Sequence, residues 1–261
     1  MEIIDIGLNL MHKSYNNDRN EIMDAAKKVG VSGAIITGSD IKSSISASEY
    51  ASNFPGVLYS TAGVHPHDAK TCNEDTLTIL EDLAKNECVV AIGECGLDYN
   101  RNYSPQDVQR KWFRKQLELA DKLQMPVFLH DRESYNDFSK ILREFPEVAK
   151  RSVVHCFTGN KDEVKDYLSL GCYIGVTGWI CDERRGDELR EAVKHIPPER
   201  LMIETDGPFL IPRDLKPKPK KHRNEPKYLP HILNRIAFEM DLDSEELAIQ
   251  VTKNTKRFFN I

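Results

Sequence analysis

The chain has 261 residues, with 36 Lys and Arg against 41 Asp and Glu and a net charge of −5. That length suits one large domain or two small ones. The negative balance excludes a protein that coats long duplex nucleic acid through a strongly basic face, though not an enzyme that grips a few phosphates in one pocket. In chain order, short runs rich in Val, Ile and Leu occur at Ile3–Leu8, Gly33–Thr37, Val57–Val64, Val89–Ile92, Pro126–His130, Ser152–Phe157, Cys172–Thr177 and Leu201–Glu204. Each reads as a buried parallel strand. Between and after them, Asp18–Lys28, Pro105–Leu123, Tyr135–Phe145, Lys161–Leu168, Glu188–His195, Leu229–Met240 and Glu245–Asn254 space their apolar residues as helices do. Gly30 and Gly171 stand where a helix end wants a left-handed residue.

Alternating strands and helices imply a parallel sheet. Eight such units in a chain close to the typical barrel length of about 250 residues predict a TIM-type (β/α)8 barrel, one domain over residues 1–261. No GxGxxG or GxxxxGK[ST] element supports a dinucleotide or P-loop fold. The six cysteines, Cys72, Cys88, Cys95, Cys156, Cys172 and Cys181, form no CxxC pair. A zinc ribbon is therefore not expected, and reduced thiols fit the cytoplasm. MEIIDIG has no basic n-region, and no apolar stretch reaches the roughly 18 residues of a membrane span.

A barrel carries its chemistry at the C-terminal ends of its strands. Those ends hold Asp5, Gly7 and Asn9, then His65 and His67, Glu94, His130, His155, and finally Glu204 and Asp206. Any one of these has a plain structural reading: a satisfied core histidine, a paired glutamate, an Asx turn at Asp206. Glu94, His130 and His155 on three consecutive strands read differently, because neighbouring strands lie roughly 4.8 Å apart and the side chains can converge on one ion. One carboxylate and two imidazoles suit zinc, manganese or iron, with Mg²⁺ less natural for imidazole. Asp206 is either a further ligand or the base for an attacking water, and Glu204 lies two residues away on the same strand face. His65 and His67 are candidates for metal, phosphate or leaving-group contacts. Arg213–Arg223, RDLKPKPKKHR, is a basic loop after the last strand, where barrels frequently bind phosphate. Arg132 and Arg223 are the arginines expected to meet substrate. Asn102, Trp179 and Glu225 are candidate groove residues.

STAGVHPHD, VVAIGECGLDYNRN, MPVFLHDRES, VVHCFTG, YIGVTGWICDERRG, LMIETDGPFLIPRDLKPKPKKHRNEP and NTKRFFNI together resemble the TatD family of metal-dependent hydrolases, in order and over nearly the whole chain. The resemblance implies a TIM barrel and a divalent-metal site held by Glu94, His130 and His155. It also implies an acidic residue at the reaction centre, Asp206, and 3′–5′ exonuclease activity on single strands. Mg²⁺, Mn²⁺ and Zn²⁺ all remain candidates. Most of the wider family opens with a His-x-His strand end, whereas this chain has Gly7 and Asn9 there, so the first of two metal positions is expected to be impaired. The expected partner is single-stranded nucleic acid, with no membrane, and the expected state is a monomer. Two rivals stand beside this reading. One is a metal-dependent amidohydrolase or deacylase acting on an ester or amide. The other is a non-enzymatic barrel with a degraded metal site.

Overall fold

The computed structural model describes residues 2–219 and 222–261. Its eight strands are β1 (Ile3–Leu8), β2 (Val31–Ile36), β3 (Leu58–Ala62), β4 (Val89–Asp98), β5 (Val127–Arg132), β6 (Ser152–His155), β7 (Tyr173–Val176) and β8 (Leu201–Ile203). They run in one sheet in the order β1 to β8, with helices between them, as in a TIM (β/α)8 barrel. The helices are α1 (Arg19–Lys27), α2 (Ile41–Ala51), α3 (Thr76–Leu83), α4 (Gln106–Leu123), α5 (Tyr135–Arg143), α6 (Pro146–Ala149), α7 (Lys161–Ser169), α8 (Asp187–Val193), α9 (Leu229–Met240) and α10 (Ser244–Phe259). The chain forms two compact units, one of Met1–Ile36, Cys156–Leu168 and Ile174–Ile261, the other of Thr37–His155 and Ser169–Tyr173.

In the second unit, β4 is the longest strand, and all ten of its residues are buried. It pairs with β5 through Ile92↔Val127, Gly96↔His130 and Asp98↔Arg132, and β5 pairs His130 directly with His155 of β6. The β4–β5 register slips between Gly93 and Cys95. Glu94 is therefore the unpaired residue of a bulge, a device that re-aims a side chain next to an active site. Gly93 and Gly96 allow this close approach. Both have positive φ, and a Cβ at Gly96 would lie 1.9 Å from the His130 carbonyl oxygen. Helix α4 buries Trp112, Phe113, Leu117 and Ala120 along one stripe. Truncating Leu117 to Ala would cost about 2–5 kcal/mol.

In the first unit, β1 pairs with β2 through Ile3↔Val31 and Asp5↔Ala34. Leu8 bridges Gly207 just beyond β8, and the Asn9 amide donates to the Gly207 carbonyl at 2.8 Å. Helix α10 starts under an Asp243 cap that accepts from the amides of Glu245 and Glu246, and it buries Leu247, Val251 and Phe259. Gly30 and Gly171 both have φ near +92°, as their places past helix ends predict.

Candidate metal centre

Four strand ends of one unit supply the centre. Glu94 Oε1 lies 2.7 Å from His155 Nε2, 2.9 Å from His130 Nδ1 and 3.4 Å from His65 Nε2. Glu94, His65 and His155 are buried, and only 15% of the His130 side chain is exposed. One carboxylate oxygen offers about two lone-pair sites, yet three imidazole nitrogens face it. His130 Nε2 is buried without a hydrogen-bonded partner, 3.5 Å from Asp98 Oδ2. A crowded acceptor beside an orphaned ring nitrogen is the arrangement a cation resolves, so the residues present fit a divalent metal.

The ionisation pattern agrees. Burial works to raise the Glu94 carboxyl, but His65 and His155, with hydrogen bonds from His130 and His155, outweigh it and hold the group well below the usual carboxylate range. Burial drives His65 well below the ordinary imidazole value, although Glu94 pulls the other way. Burial would lower His130 too, but the Asp98 and Glu94 carboxylates outweigh it and raise that ring.

His65 is tied differently from the others. Its Nδ1 accepts the His67 amide at 3.0 Å, so in the neutral ring the proton sits on Nε2, facing Glu94. That makes His65 a donor before it is a ligand. The Val64 amide and carbonyl before it are clamped by the Gln116 side chain of α4, at 2.8 and 3.0 Å.

His67 Nε2 lies 2.7 Å from Asp98 Oδ2, its backbone carbonyl accepts from Ser104 Oγ, and the Tyr103 ring packs edge-on at 4.7 Å. Burial would raise Asp98; the nearby His130 ring, the hydrogen-bonded His67 ring and the Arg101 amide outweigh it and hold the carboxyl far below its usual range. Gln109 fixes Asp98 by accepting its amide at 2.9 Å. Asp98 links His67 to His130; the apolar run that marks β4 in the sequence stops at Ile92, six residues short of it. The available signal was the four-residue step from Glu94 to Asp98, which in a strand keeps both on one face.

The other unit holds Asp206 at the C-terminal end of β8. Its amide donates to the Gly7 carbonyl at 2.8 Å, and its Oδ1 accepts from Asn9 Nδ2 at 2.9 Å. Gly7 and Asn9, which cannot replace a pair of histidines as ligands, thus fix the position of Asp206. Glu204 is fully buried and accepts the Cys156 amide at 2.5 Å. Asp5 is fully buried, accepting from the Thr205 amide and hydroxyl and the Gly7 amide. Burial, eased by those bonds, pushes Asp5 up to about 7.

The basic residues divide. Arg223 pairs with Asp18 and with Glu225, 3.0 Å away, and only 12% of its side chain is exposed. Arg132, half-buried at the end of β5, has no side-chain partner among the described residues. Trp179 donates to the Arg185 carbonyl and lies under the Arg185 guanidinium at 4.3 Å. Asn102 Nδ2 donates to the Tyr99 carbonyl, and Glu225 also pairs with Lys227. Lys220 and Lys221 of the basic loop lie outside the described residues.

Residues 4–260 match the family described as TatD related DNase. The chain belongs to the TatD family. A TatD relative from Pectobacterium parmentieri, named 3′-5′ ssDNA/RNA exonuclease TatD, is 47% identical over 99% of this chain and 100% of its own length. A relative of the same name from Klebsiella pneumoniae is 46% identical over 99% of this chain and 98% of its own. Among solved structures, a TatD family hydrolase from Entamoeba histolytica matches at a TM-score of 0.86 and 30% identity, covering 99% of this chain and 98% of that one. A TatD homologue from Escherichia coli matches at a TM-score of 0.90 and 24% identity over 99% and 98% of the two chains, a likeness of fold. Among the described residues, no helix is long and apolar enough to cross a membrane, and no disulfide joins the cysteines.

Proposed function

We propose that residues 1–261 act as one catalytic domain, a monomeric metal-dependent exonuclease that shortens single-stranded DNA or RNA from the 3′ end. The observation that carries this reading is the crowding of three imidazole nitrogens on Glu94 Oε1 beside the buried His130 Nε2, which makes no hydrogen bond. The family membership and the names of its relatives supply the substrate class and polarity.

Glu94, His130 and His155 would hold the ion, with Mn²⁺ or Zn²⁺ better suited than Mg²⁺ to the imidazole-rich set. When bound, such an ion polarises a phosphoryl oxygen and makes water acidic enough to attack at neutral pH. Asp206, held by Asn9, would take a proton from an attacking water as general base or serve as a further ligand; buried Glu204, fixed on the Cys156 amide, supports the same strand end. His65, protonated on Nε2, donates to a phosphate oxygen. His67, oriented by Asp98, delivers a proton to the departing 3′ oxygen. Arg132 meets a neighbouring phosphate. Arg223 acts by bracing its loop through Asp18 and Glu225. Tyr103, 55% exposed beside His67, offers a face on which a terminal base can stack.

The test is purified protein on single strands labelled at the 5′ or the 3′ end, with chelator and then with Mg²⁺, Mn²⁺ or Zn²⁺ restored. The expected result is metal-dependent shortening from the 3′ end, abolished in Glu94→Ala and His155→Ala. Full activity in either variant, or shortening from the 5′ end, contradicts the assignment. A parallel assay on an acyl ester separates phosphodiester from acyl chemistry.

A further inference from the structure

Among the described residues, two groups of His, Cys, Asp or Glu bring three ligand atoms within 4.8 Å of one another. One belongs to the centre already described. The other is Cys181, Asp214 and His231, which the proposed reaction does not use. All three lie in the first compact unit. Cys181 ends the 3₁₀ turn Gly178–Cys181 after β7, Asp214 lies in the segment after β8, and His231 sits in the first turn of α9.

The donors are already turned toward one another. His231 Nε2 lies 2.6 Å from Asp214 Oδ1. The Cys181 side chain is 2% exposed. Burial and the adjacent Asp214 carboxylate push its thiol far up, while Arg235 and Arg190 pull it down. Arg235 Nη1 stands 3.6 Å from Asp214 Oδ2, and its Nε and Nη2 are held by Glu239 at 2.9 and 2.6 Å, which balances its charge. Asp214 Oδ2 therefore has an outer partner that can orient it while Oδ1 binds inward, as carboxylate ligands require. His231 and Asp214 are about one-third exposed, which leaves a path for an ion.

A thiolate, an imidazole and a carboxylate on one small volume select for soft, borderline cations over Mg²⁺ or Ca²⁺. We propose that Cys181, Asp214 and His231 form a second metal site in this chain, for a thiophilic divalent cation of the zinc type. Three protein ligands leave the fourth tetrahedral position to water. Binding breaks the Cys181 S–H bond, releases that proton to solvent and forms a sulfur–metal bond, with no change of oxidation state. The ion would join the segments after β7 and β8 to the start of α9.

Cobalt distinguishes this site from the Glu94 centre, whose donors include no sulfur. Metal-stripped protein titrated with Co²⁺ should develop a near-ultraviolet sulfur-to-cobalt charge-transfer band that saturates by two added equivalents per chain, one for each centre. Cys181→Ser should lack the band while keeping nuclease activity, and His231→Ala should weaken Co²⁺ binding at this site at least about tenfold, the lower end of what outer-shell changes alone cost. Glu94→Gln should keep the band unchanged. That variant therefore reports on this site whether or not the nuclease reading holds. No band in the wild-type protein, or a band that survives Cys181→Ser, overturns the proposal.

Discussion

Glu94 and Asp5 are both buried carboxylates within strands, and the protein stabilises them in different ways. Glu94 is surrounded by imidazoles and stays ionised far below the usual range. Asp5 is surrounded by the amides of Thr205 and Gly7 and the Thr205 hydroxyl, and burial raises it to about 7. Imidazoles can exchange a proton for a metal ion; amides and hydroxyls cannot. The ends of β3 to β6 are therefore built to trade partners, and the ends of β1 and β8 are built to hold still. Asn9 fits the second pattern: where a His-x-His end would offer ligands, it spends its amide on Asp206.

If Asp206 is held still in order to move a proton, Asp206→Asn keeps the Asn9 hydrogen bond and loses the base. It should lower kcat by about a thousandfold, within the range for general acid–base catalysis, with metal affinity little changed. A large loss of metal affinity instead would make Asp206 chiefly a ligand and blur the contrast between the two ends. Asp98→Asn probes the imidazole side from behind. It leaves His67 and His130 in place but less firmly oriented, and metal affinity or activity should drop about 10–100-fold, as for other outer partners of ligating histidines. An Asp98→Asn enzyme with unaltered affinity and rate would show that the His67–Asp98–His130 chain is packing.

The two arginines sharpen the division between mobile and fixed charge. Arg132→Ala should reduce the slope of log KM against log salt by about 0.7, the release expected from one single-strand phosphate contact. Arg223→Ala should leave that slope alone and lower the melting temperature, since its partners Asp18 and Glu225 are already engaged. The opposite outcome would reverse their roles. The smallest effect concerns Asp5. Burial raises its pKa from the ordinary carboxylate range to about 7, so the folded state binds the extra proton, and its stabilising share is complete below about 4 and lost as pH rises through about 7. Thermal melts of wild type minus Asp5→Asn should decline across that window. A flat difference would mean that Asp5 stays ionised throughout.

Much of this was legible in the sequence, for physical reasons. Buried parallel strands must be continuous apolar runs, so all eight stood out, and a barrel puts the residues that follow them at one end. His130 and His155 were readable as neighbours because their strands are consecutive, and they are register partners. Four things were not readable. Helix α2 buries Ser44, Ala47, Ser48 and Ala51, small residues that leave no apolar stripe to detect. Helix α3 is only eight residues long. Strand β4 continues through GECGLD because β5 pairs with it there, a tertiary contact that local propensity does not record, and Asp98 was hidden with it. The donor tautomer of His65 depends on one backbone amide, from His67, which no residue spacing reveals.

Mn²⁺ binding, followed by the paramagnetic resonance of the free ion, tests directly whether Glu94 and its imidazoles hold a cation. Mn²⁺ favours oxygen and nitrogen over thiolate, so the Cys181 group should not compete. Wild type and Cys181→Ser should bind Mn²⁺ alike, while Glu94→Gln and His130→Ala should each bind it at least about a hundredfold more weakly, at or beyond the upper end of outer-shell losses. Equal binding in wild type, Glu94→Gln and His130→Ala would contradict the central claim.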